Sequence, residues 1–281
     1  MTGAGSFFDP YTLARNTEFI EVDEKDYYYT DRIGVEASRQ IEEFAKSDKP
    51  FFQYVAFTAA HWPIHAPEKS IEKYLDTYEG GWEKLRKERY ARMLKMGVID
   101  KERWPLPPLE DRVKPWDAID HKPWRIRNMA IYAAMVDHMD QAVGKVVDSL
   151  KRTKQLDDTL IIYFHDNGAC PEHLGGNGWN TANNILAKAK KAGKTIAVGD
   201  KFDVPMGGPM TYGSVGHNWA NAQNTPMRRY KSNVHNGGAC TPAIFHWPAG
   251  LKAKLGSISD QRGHVIDMMA TCLELAGTKY P

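Results

Sequence analysis

An apolar and aromatic run at residues 161–164 leads directly into polar side chains that could bind a cation. His165, Asp166, Asn167 and Gly168 follow the run without a break. A buried strand that ends in this way delivers side-chain oxygens to the carboxyl edge of a sheet, where open α/β proteins keep their sites. Carboxylate and carboxamide oxygens suit calcium or magnesium, and Gly168 lets the backbone turn away. A plain turn is the alternative, because Asp-Asn-Gly is common in turns.

Two further segments carry polar and basic side chains. His61 follows the sequence Phe-Phe-Gln-Tyr-Val-Ala-Phe at 51–57, which we predict to be a buried strand. His61 and His65 are four residues apart, but Pro63 between them excludes the helical His-x-x-x-His zinc arrangement. The other segment, at 224–231, ends in a lysine after two arginines.

Helices and strands alternate along the chain and would position these groups. Apolar periodicity predicts helices over 31–46, 68–96 (with a break at the Gly-Gly pair 80–81), 125–153 and 264–276, and strands over 159–165 and 241–247. Residues 103–124 are rich in proline and tryptophan and are predicted to form an ordered irregular loop. Residues 170–223 are rich in glycine and asparagine, and so long an irregular segment is usually a functional loop. The order of elements predicts an α/β protein.

Composition excludes several classes of protein. The chain has 281 residues, 42% of them hydrophobic, and a net charge of +2, which predicts neither nucleic-acid binding nor attraction to a membrane. No apolar run approaches the length of a membrane span. Three cysteines without a Cys-x-x-Cys pair provide neither a disulfide framework nor a zinc motif.

Taken together, a series of segments in this order resembles the sulfatases of the alkaline phosphatase superfamily, most closely the arylsulfatase branch. The matching segments are His61-x-Pro63-x-x-x-Pro67, Asp140-x-x-x-Gly144 with Leu150, Leu156-Asp157-Asp158-Thr159, Asp166-Asn167-Gly168, Asn224-x-Pro226-Met227-Arg228-x-x-Lys231 and His235-Asn236-Gly237-Gly238. The likeness extends over nearly the whole chain. It implies an α/β/α sandwich with a largely parallel sheet that is incomplete at its N-terminal strand.

The resemblance implies a role for four side chains. Asp166 and Asn167 match divalent-cation ligands, with calcium in most of the family and magnesium as the alternative. His61 and Lys231 match catalytic, substrate-binding residues that hold the sulfate group and the oxygen of the departing alcohol. The physics agrees with these roles, because a sulfuryl group in transfer spreads negative charge over its oxygens, which a cation, a lysine and an imidazole would stabilise.

The nucleophile of the family is missing from the sequence. Sulfatases use a cysteine or serine in Cys/Ser-x-Pro/Ala-x-Arg, which is converted to formylglycine, and the nearest string, at Cys240, has Ile244 where arginine is required. The family's paired metal-binding aspartates are also absent. We therefore expect residues 1–281 to be an internal part of a longer sulfatase catalytic domain that lacks the family's nucleophile region and its smaller C-terminal subdomain. The formylglycine is expected in an upstream segment, and 170–223 is expected to be a loop region beside the active site. The isolated chain is expected to be inactive.

The predicted function is hydrolysis of a small-molecule or saccharide sulfate ester with release of inorganic sulfate. One alternative is a phosphodiesterase or phosphonate monoester hydrolase of the same superfamily, because sulfate and phosphate esters share their geometry. Another is a non-catalytic protein that binds anions or carbohydrates. The family is commonly exported or lysosomal.

Overall fold

A computed structural model describes residues 5–10, 12–22, 24–174, 186–187, 189–191 and 193–280, and these contain seven α-helices, two short 3-10 helices and six short strands. The first half of the chain contains β1 (Ala14–Arg15), β2 (Glu18–Phe19), α1 (Tyr29–Phe44), α2 (Glu68–Glu72), α3 (Gly81–Lys95) and α4 (Lys122–Arg152). The second half contains β3 (Ile161–Phe164), β4 (Ala197–Val198), β5 (Thr211–Tyr212), α5 (Gly216–Gln223), α6 (Asn236–Ala239), β6 (Ala243–His246) and α7 (Val265–Leu275). The helices predicted over 31–46, 125–153 and 264–276 are confirmed as α1, α4 and α7.

The longest helix, α4, packs along α1 and carries much of the core. Its buried side chains recur every three or four residues, as the sequence periodicity predicted. On α1 the buried positions Gly34, Ala37 and Ile41 follow the same spacing. Gly34 brings the two backbones close together, because a Cβ atom there would lie 2.7 Å from the Cβ of Ala142. The pair therefore forms a tight, specific contact.

Three tryptophans from distant parts of the chain fix the irregular loops to this core. The ring of Trp82, at the start of α3, meets Trp116 edge-on at 4.7 Å and Trp219 of α5 at 5.3 Å. Trp219 is 1% exposed. The helix α5 was not predicted, because its glycine and asparagine residues have low helix propensity and tertiary packing of this tryptophan overrides it.

The strands form three two-stranded sheets among the described residues. β3 pairs antiparallel with β6, with Phe164 opposite Ala243. β4 and β5 pair in parallel, and β1 and β2 form an antiparallel hairpin. The predicted strands at 159–165 and 241–247 are confirmed as β3 and β6. Their pairing brings the residues that follow β3 close to those that precede β6.

The strand predicted at 51–57 is not formed. These residues make no ladder with any strand in the described ranges, and Phe52 and Tyr54 are 75% and 78% exposed. Alternate residues still face inward, and the Gln53 carboxamide donates to the carbonyl of Ala37 in α1. The alternation of inward and outward side chains is therefore present. A strand also needs a neighbouring strand to supply its hydrogen bonds, and the described residues provide no such neighbour.

The C-terminal elements are exposed. No residue of α7 is buried, and β6 presents Ile244 and Phe245 to solvent. None of the described helices combines the length and the apolar character that crossing a membrane requires.

Substitution of two helical glycines should test the α1–α4 contact. Gly34→Ala places a methyl group against Ala142, and we expect it to lower the free energy of unfolding by about 1–2 kcal/mol. Gly144→Ala on α4 is the matched control, since a Cβ atom there meets nothing within 4 Å. The control should stabilise the protein by about 0.5–1 kcal/mol through helix propensity. Urea denaturation measures both, and equal effects would contradict the close approach.

Candidate active site

The loop after β3 presents the two predicted cation ligands. Asp166 is exposed and Asn167 is half-buried, directly beyond the end of the strand. Among the described residues no protein group hydrogen-bonds to either side chain. Both are hard donors of the kind that calcium and magnesium prefer, although they supply only two of the six to eight oxygens that calcium takes. The donor chemistry therefore fits such a cation.

The structure brings His61 and Lys231 together, although 170 residues separate them. The Lys231 ammonium lies 2.7 Å from Nε2 of His61, and Nδ1 of His61 lies 3.0 Å from the Trp62 carbonyl oxygen. Because a carbonyl can only accept, Nδ1 carries the proton and donates it to Trp62. Nε2 then presents its lone pair to Lys231, which donates. The pair thus consists of a neutral imidazole and an ammonium group.

The surroundings of His61 favour this neutral state. Burial is the largest cause that lowers the pKa of the imidazole, and the charge of Lys231 lowers it further. The Trp62 carbonyl and the negative charges of Glu172 and Asp166 raise the pKa, but they do not offset the burial. The Asp166 carboxylate is therefore close enough to act electrostatically on His61.

One carboxamide joins the loop after β3 to the segment that carries Lys231. Oδ1 of Asn224 accepts from the Ala169 amide at 2.9 Å, while its Nδ2 donates to the carbonyls of Arg229 at 2.8 Å and Gly237 at 2.7 Å. The Lys231 amide donates to the Ala169 carbonyl at 3.0 Å. Asn224 belongs to one of the segments that carry the family resemblance, but its bridging role was not predicted.

Glycine is required where these two segments meet. A Cβ atom on Gly168 would lie 1.6 Å from the carbonyl oxygen of Gly237, and the Gly168 amide donates to the Gly238 carbonyl at 3.1 Å. The backbone of the loop after β3 is therefore in direct contact with the backbone of the segment that carries Lys231. No other residue at position 168 would permit this approach.

Three residues that sequence reasoning missed lie beside the His61–Lys231 pair. The Cys170 thiol donates to the Glu172 carboxylate at 3.1 Å, and the Trp62 indole N–H donates to the same carboxylate oxygen. Burial and Glu172 raise the pKa of Cys170 to about 12, so its thiol stays protonated. Burial raises the pKa of Glu172, but the hydrogen bonds from Trp62 and Cys170 and the charge of Lys231 outweigh it, so the pKa lies below its ordinary value. The only sequence signal for Cys170 and Glu172 is their position just after Gly168.

Two further polar residues near the site, Arg229 and His217, make contacts that support its structure. The Arg229 amide and guanidinium both bind the buried carboxylate of Glu110, so Arg229 has a structural role. His217 hydrogen-bonds through Nδ1 to the Pro171 carbonyl at 2.6 Å, and its ring lies 5.7 Å from that of Tyr230. His217 therefore supports the wall of the site beside Lys231.

The titration of His61 gives a first test of this geometry. Because its pKa is depressed below the ordinary 6.5, its contribution to stability is present above that value and is lost as the pH falls toward the folded-state pKa. Lys231→Met should raise the pKa of His61 by removing a positive neighbour, yet leave it below 6.5 because burial persists. Lys231→Arg keeps the charge and is the control. NMR titration of the imidazole measures each value, and a lower pKa in Lys231→Met would contradict the pairing.

Removal of the Asn224 carboxamide should loosen the site. Asn224→Ala leaves one amide and two carbonyls without their partner, so we expect the free energy of unfolding to fall by about 2–4 kcal/mol. Asn236→Ala, at an exposed asparagine, is the matched control and should change stability by less than about 0.5 kcal/mol. Chemical denaturation of the two variants decides the point. Similar small losses would show that Asn224 does not bridge the segments.

Nearly the whole chain is similar in sequence to known proteins. Residues 2–278 match the family model described as Sulfatase. The chain is 32% identical over 262 residues to "Uncharacterized sulfatase PB10D8.02c" of Schizosaccharomyces pombe, covering 92% of this chain and 44% of the relative, and 30% identical over 251 residues to "Arylsulfatase" of Klebsiella aerogenes, covering 85% and 50%. It therefore spans about half the length of these relatives.

A solved structure shows that the fold is shared. The crystal structure of "Ps i-CgsB in complex with k-i-k-neocarrahexaose" superposes with a TM-score of 0.55 at 21% identity, over 96% of this chain and 38% of the other. The predicted α/β, alkaline-phosphatase-like fold class is thereby confirmed. With the family match extending over almost every residue, the chain belongs to the sulfatase family.

Proposed function

We propose that this chain supplies the cation-binding and sulfate-binding half of the active site of a sulfuric ester hydrolase. The observation that carries the proposal is the contact between the Lys231 ammonium and Nε2 of His61, beside the loop that bears Asp166 and Asn167. Membership of the sulfatase family supports the reaction class. Members of this family generally use a metal ion and a formylglycine.

The charges around the site suit the transfer of a sulfuryl group. Negative charge spreads over the sulfate oxygens and the departing alcohol oxygen as the ester bond breaks, and fixed positive groups stabilise it. A cation held by Asp166 and Asn167, calcium or magnesium, would supply Lewis-acid stabilisation of this charge. Lys231 donates hydrogen bonds from a position that its backbone contact with Ala169 fixes. Asn224 maintains the separation between these groups.

The hydrogen bond between Lys231 and His61 determines which group can deliver a proton to the departing alcohol oxygen. Nδ1 of His61 is committed to the Trp62 carbonyl, and Nε2 accepts from Lys231. The pair therefore holds one transferable proton, which resides on the lysine. The proton reaches the alcohol oxygen either directly from Lys231 or through Nε2 after Lys231 has protonated it. The two residues act together: removal of Lys231 removes the proton, and removal of His61 removes the acceptor that orients the ammonium.

The nucleophile must come from outside these residues. The sequence contains no Cys/Ser-x-Pro/Ala-x-Arg segment, so we propose that the formylglycine is contributed by polypeptide upstream of residue 1. The substrate is proposed to be a small-molecule or saccharide sulfate ester. Two relatives named "Arylsulfatase" and "Choline-sulfatase" support this range, as does the neocarrahexaose in complex with the protein of shared fold.

Hydrolysis of an aryl sulfate tests the roles of the paired residues. In a longer polypeptide that includes the upstream nucleophile, Lys231→Ala and His61→Ala should each lower kcat by about 10²–10³-fold, since each removes a group that stabilises the transition state. Lys254→Ala, at an exposed lysine, is the control and should retain full activity. A phosphate diester assayed in parallel distinguishes the superfamily alternative. If the paired variants kept wild-type kcat, the proposal would be wrong.

The isolated chain gives a separate test of where the nucleophile lies. Residues 1–281 with calcium should show negligible aryl sulfatase activity. Turnover comparable to that of the longer enzyme would contradict the proposal that the nucleophile lies outside this sequence. Binding of inorganic sulfate, measured by calorimetry, should persist in the isolated chain and weaken in Lys231→Ala. This second readout separates loss of binding from loss of the nucleophile.

A further inference from the structure

Three side chains at one end of the site form a cluster of metal-ligand types that differs from the oxygen pair Asp166 and Asn167. One potential ligand atom from each of His61, Cys170 and Glu172 lies within 4.8 Å of the other two. All three residues are half-buried, so they are partly shielded from water and still accessible. Cys170 and Glu172 have no part in the proposed reaction.

The sulfur and the carboxylate oxygen have a spacing close to that around a tetrahedral zinc ion. The Cys170 sulfur lies 3.1 Å from the Glu172 carboxylate oxygen with a proton between them. Bond lengths of about 2.3 Å to sulfur and about 2.0 Å to oxygen at a tetrahedral angle give a separation of about 3.5 Å. Replacement of that proton by the metal therefore requires the sulfur and the oxygen to separate by only a few tenths of an ångström, and the His61 ligand atom starts within 4.8 Å of both.

Trp62 already holds two of the three ligands in the orientation that a metal site needs. Its carbonyl accepts from Nδ1 of His61, which fixes the tautomer with a lone pair on Nε2. Its indole N–H donates to the Glu172 carboxylate. Contacts of this kind to ligating histidines and carboxylates orient the ligands of protein metal sites. The cluster therefore has an outer shell as well as three ligands.

We propose that His61, Cys170 and Glu172 bind a thiophilic divalent cation such as zinc, and that this cation competes with Lys231 for Nε2 of His61. On binding, the S–H bond of Cys170 breaks, its proton passes to solvent and a sulfur–metal bond forms. The lone pair of Nε2, which now accepts from Lys231, is donated to the metal instead. The thiolate and carboxylate balance the charge of the cation, while the lysine ammonium is displaced.

The competition implies a regulatory effect that rests on the proposed function. With zinc bound, Lys231 and His61 no longer form the pair that would hold the sulfate group, so the metal would inhibit hydrolysis. Calcium at Asp166 and Asn167 would not have this effect, since a hard cation has little affinity for sulfur. The two metals would thus act at adjacent positions with opposite results.

Cadmium binding to the whole 281-residue chain tests the site without turnover, so the result is independent of sulfatase activity. In the presence of excess calcium, one equivalent of Cd²⁺ should bind and give the charge-transfer absorption of a cadmium–thiolate bond. Cys170→Ser should abolish that absorption and lower the affinity at least about 100-fold. Cys240→Ser, at an exposed cysteine, is the matched control and should preserve both. An unchanged affinity in Cys170→Ser, or loss of the absorption in Cys240→Ser, would overturn the proposed site.

A second variant tests the competition itself and does not depend on the cysteine substitutions. Lys231→Met removes the donor that occupies Nε2 of His61, so the affinity for Cd²⁺ should rise about tenfold. Circular dichroism establishes that each variant is folded. If Lys231→Met bound Cd²⁺ no more tightly than the unmodified chain, the metal and the lysine would not share Nε2, and the inhibitory role would be rejected.

Discussion

The carboxamide of Asn224 holds together two loops that are far apart in the sequence. One loop follows β3 and carries Asp166 and Asn167, and the other carries Lys231. A carboxamide has one oxygen that accepts and two hydrogens that are donated, and here all of these are used between backbone groups of the two loops. Each of these hydrogen bonds is made to a backbone group. Asn224 therefore fixes the distance between the backbones of the two loops, whatever side chains the loops carry.

Because the two loops are held together, several titratable groups lie close to one another in a small, partly buried volume. The ammonium of Lys231 is close to Glu172 and to His61, and Asp166 also acts on His61. Each of these groups shifts the pKa of at least one other. His61 remains neutral and Cys170 remains protonated mainly because burial disfavours their charged forms. Among the described residues around His61, the positive charge resides on Lys231, with the Glu172 carboxylate close to it.

Much of this organisation was predictable from the sequence because strand ends and turn residues lie next to one another in the chain. Local patterns predict the strand β3, the helix α4 and the polar group after Phe164. The contact of His61 with Lys231 was expected only through resemblance to a family, since no local pattern relates residues 170 positions apart. The contacts of Trp62 with Glu172 and the burial of Trp219 were not predicted, because they depend on which surfaces meet. Residues 51–57 show the converse, a correct alternation without the neighbour that a strand requires.

The contact between Gly168 and Gly237 restricts how this protein could change over generations. A side chain at position 168 would separate the loop after β3 from the segment that carries Lys231, because its Cβ atom would overlap the Gly237 carbonyl oxygen. Residues around this contact could therefore diversify, while Gly168 would have to be inherited unchanged. Variation would therefore affect the side chains around the Gly168–Gly237 backbone contact first, and the contact itself would be the last feature to vary.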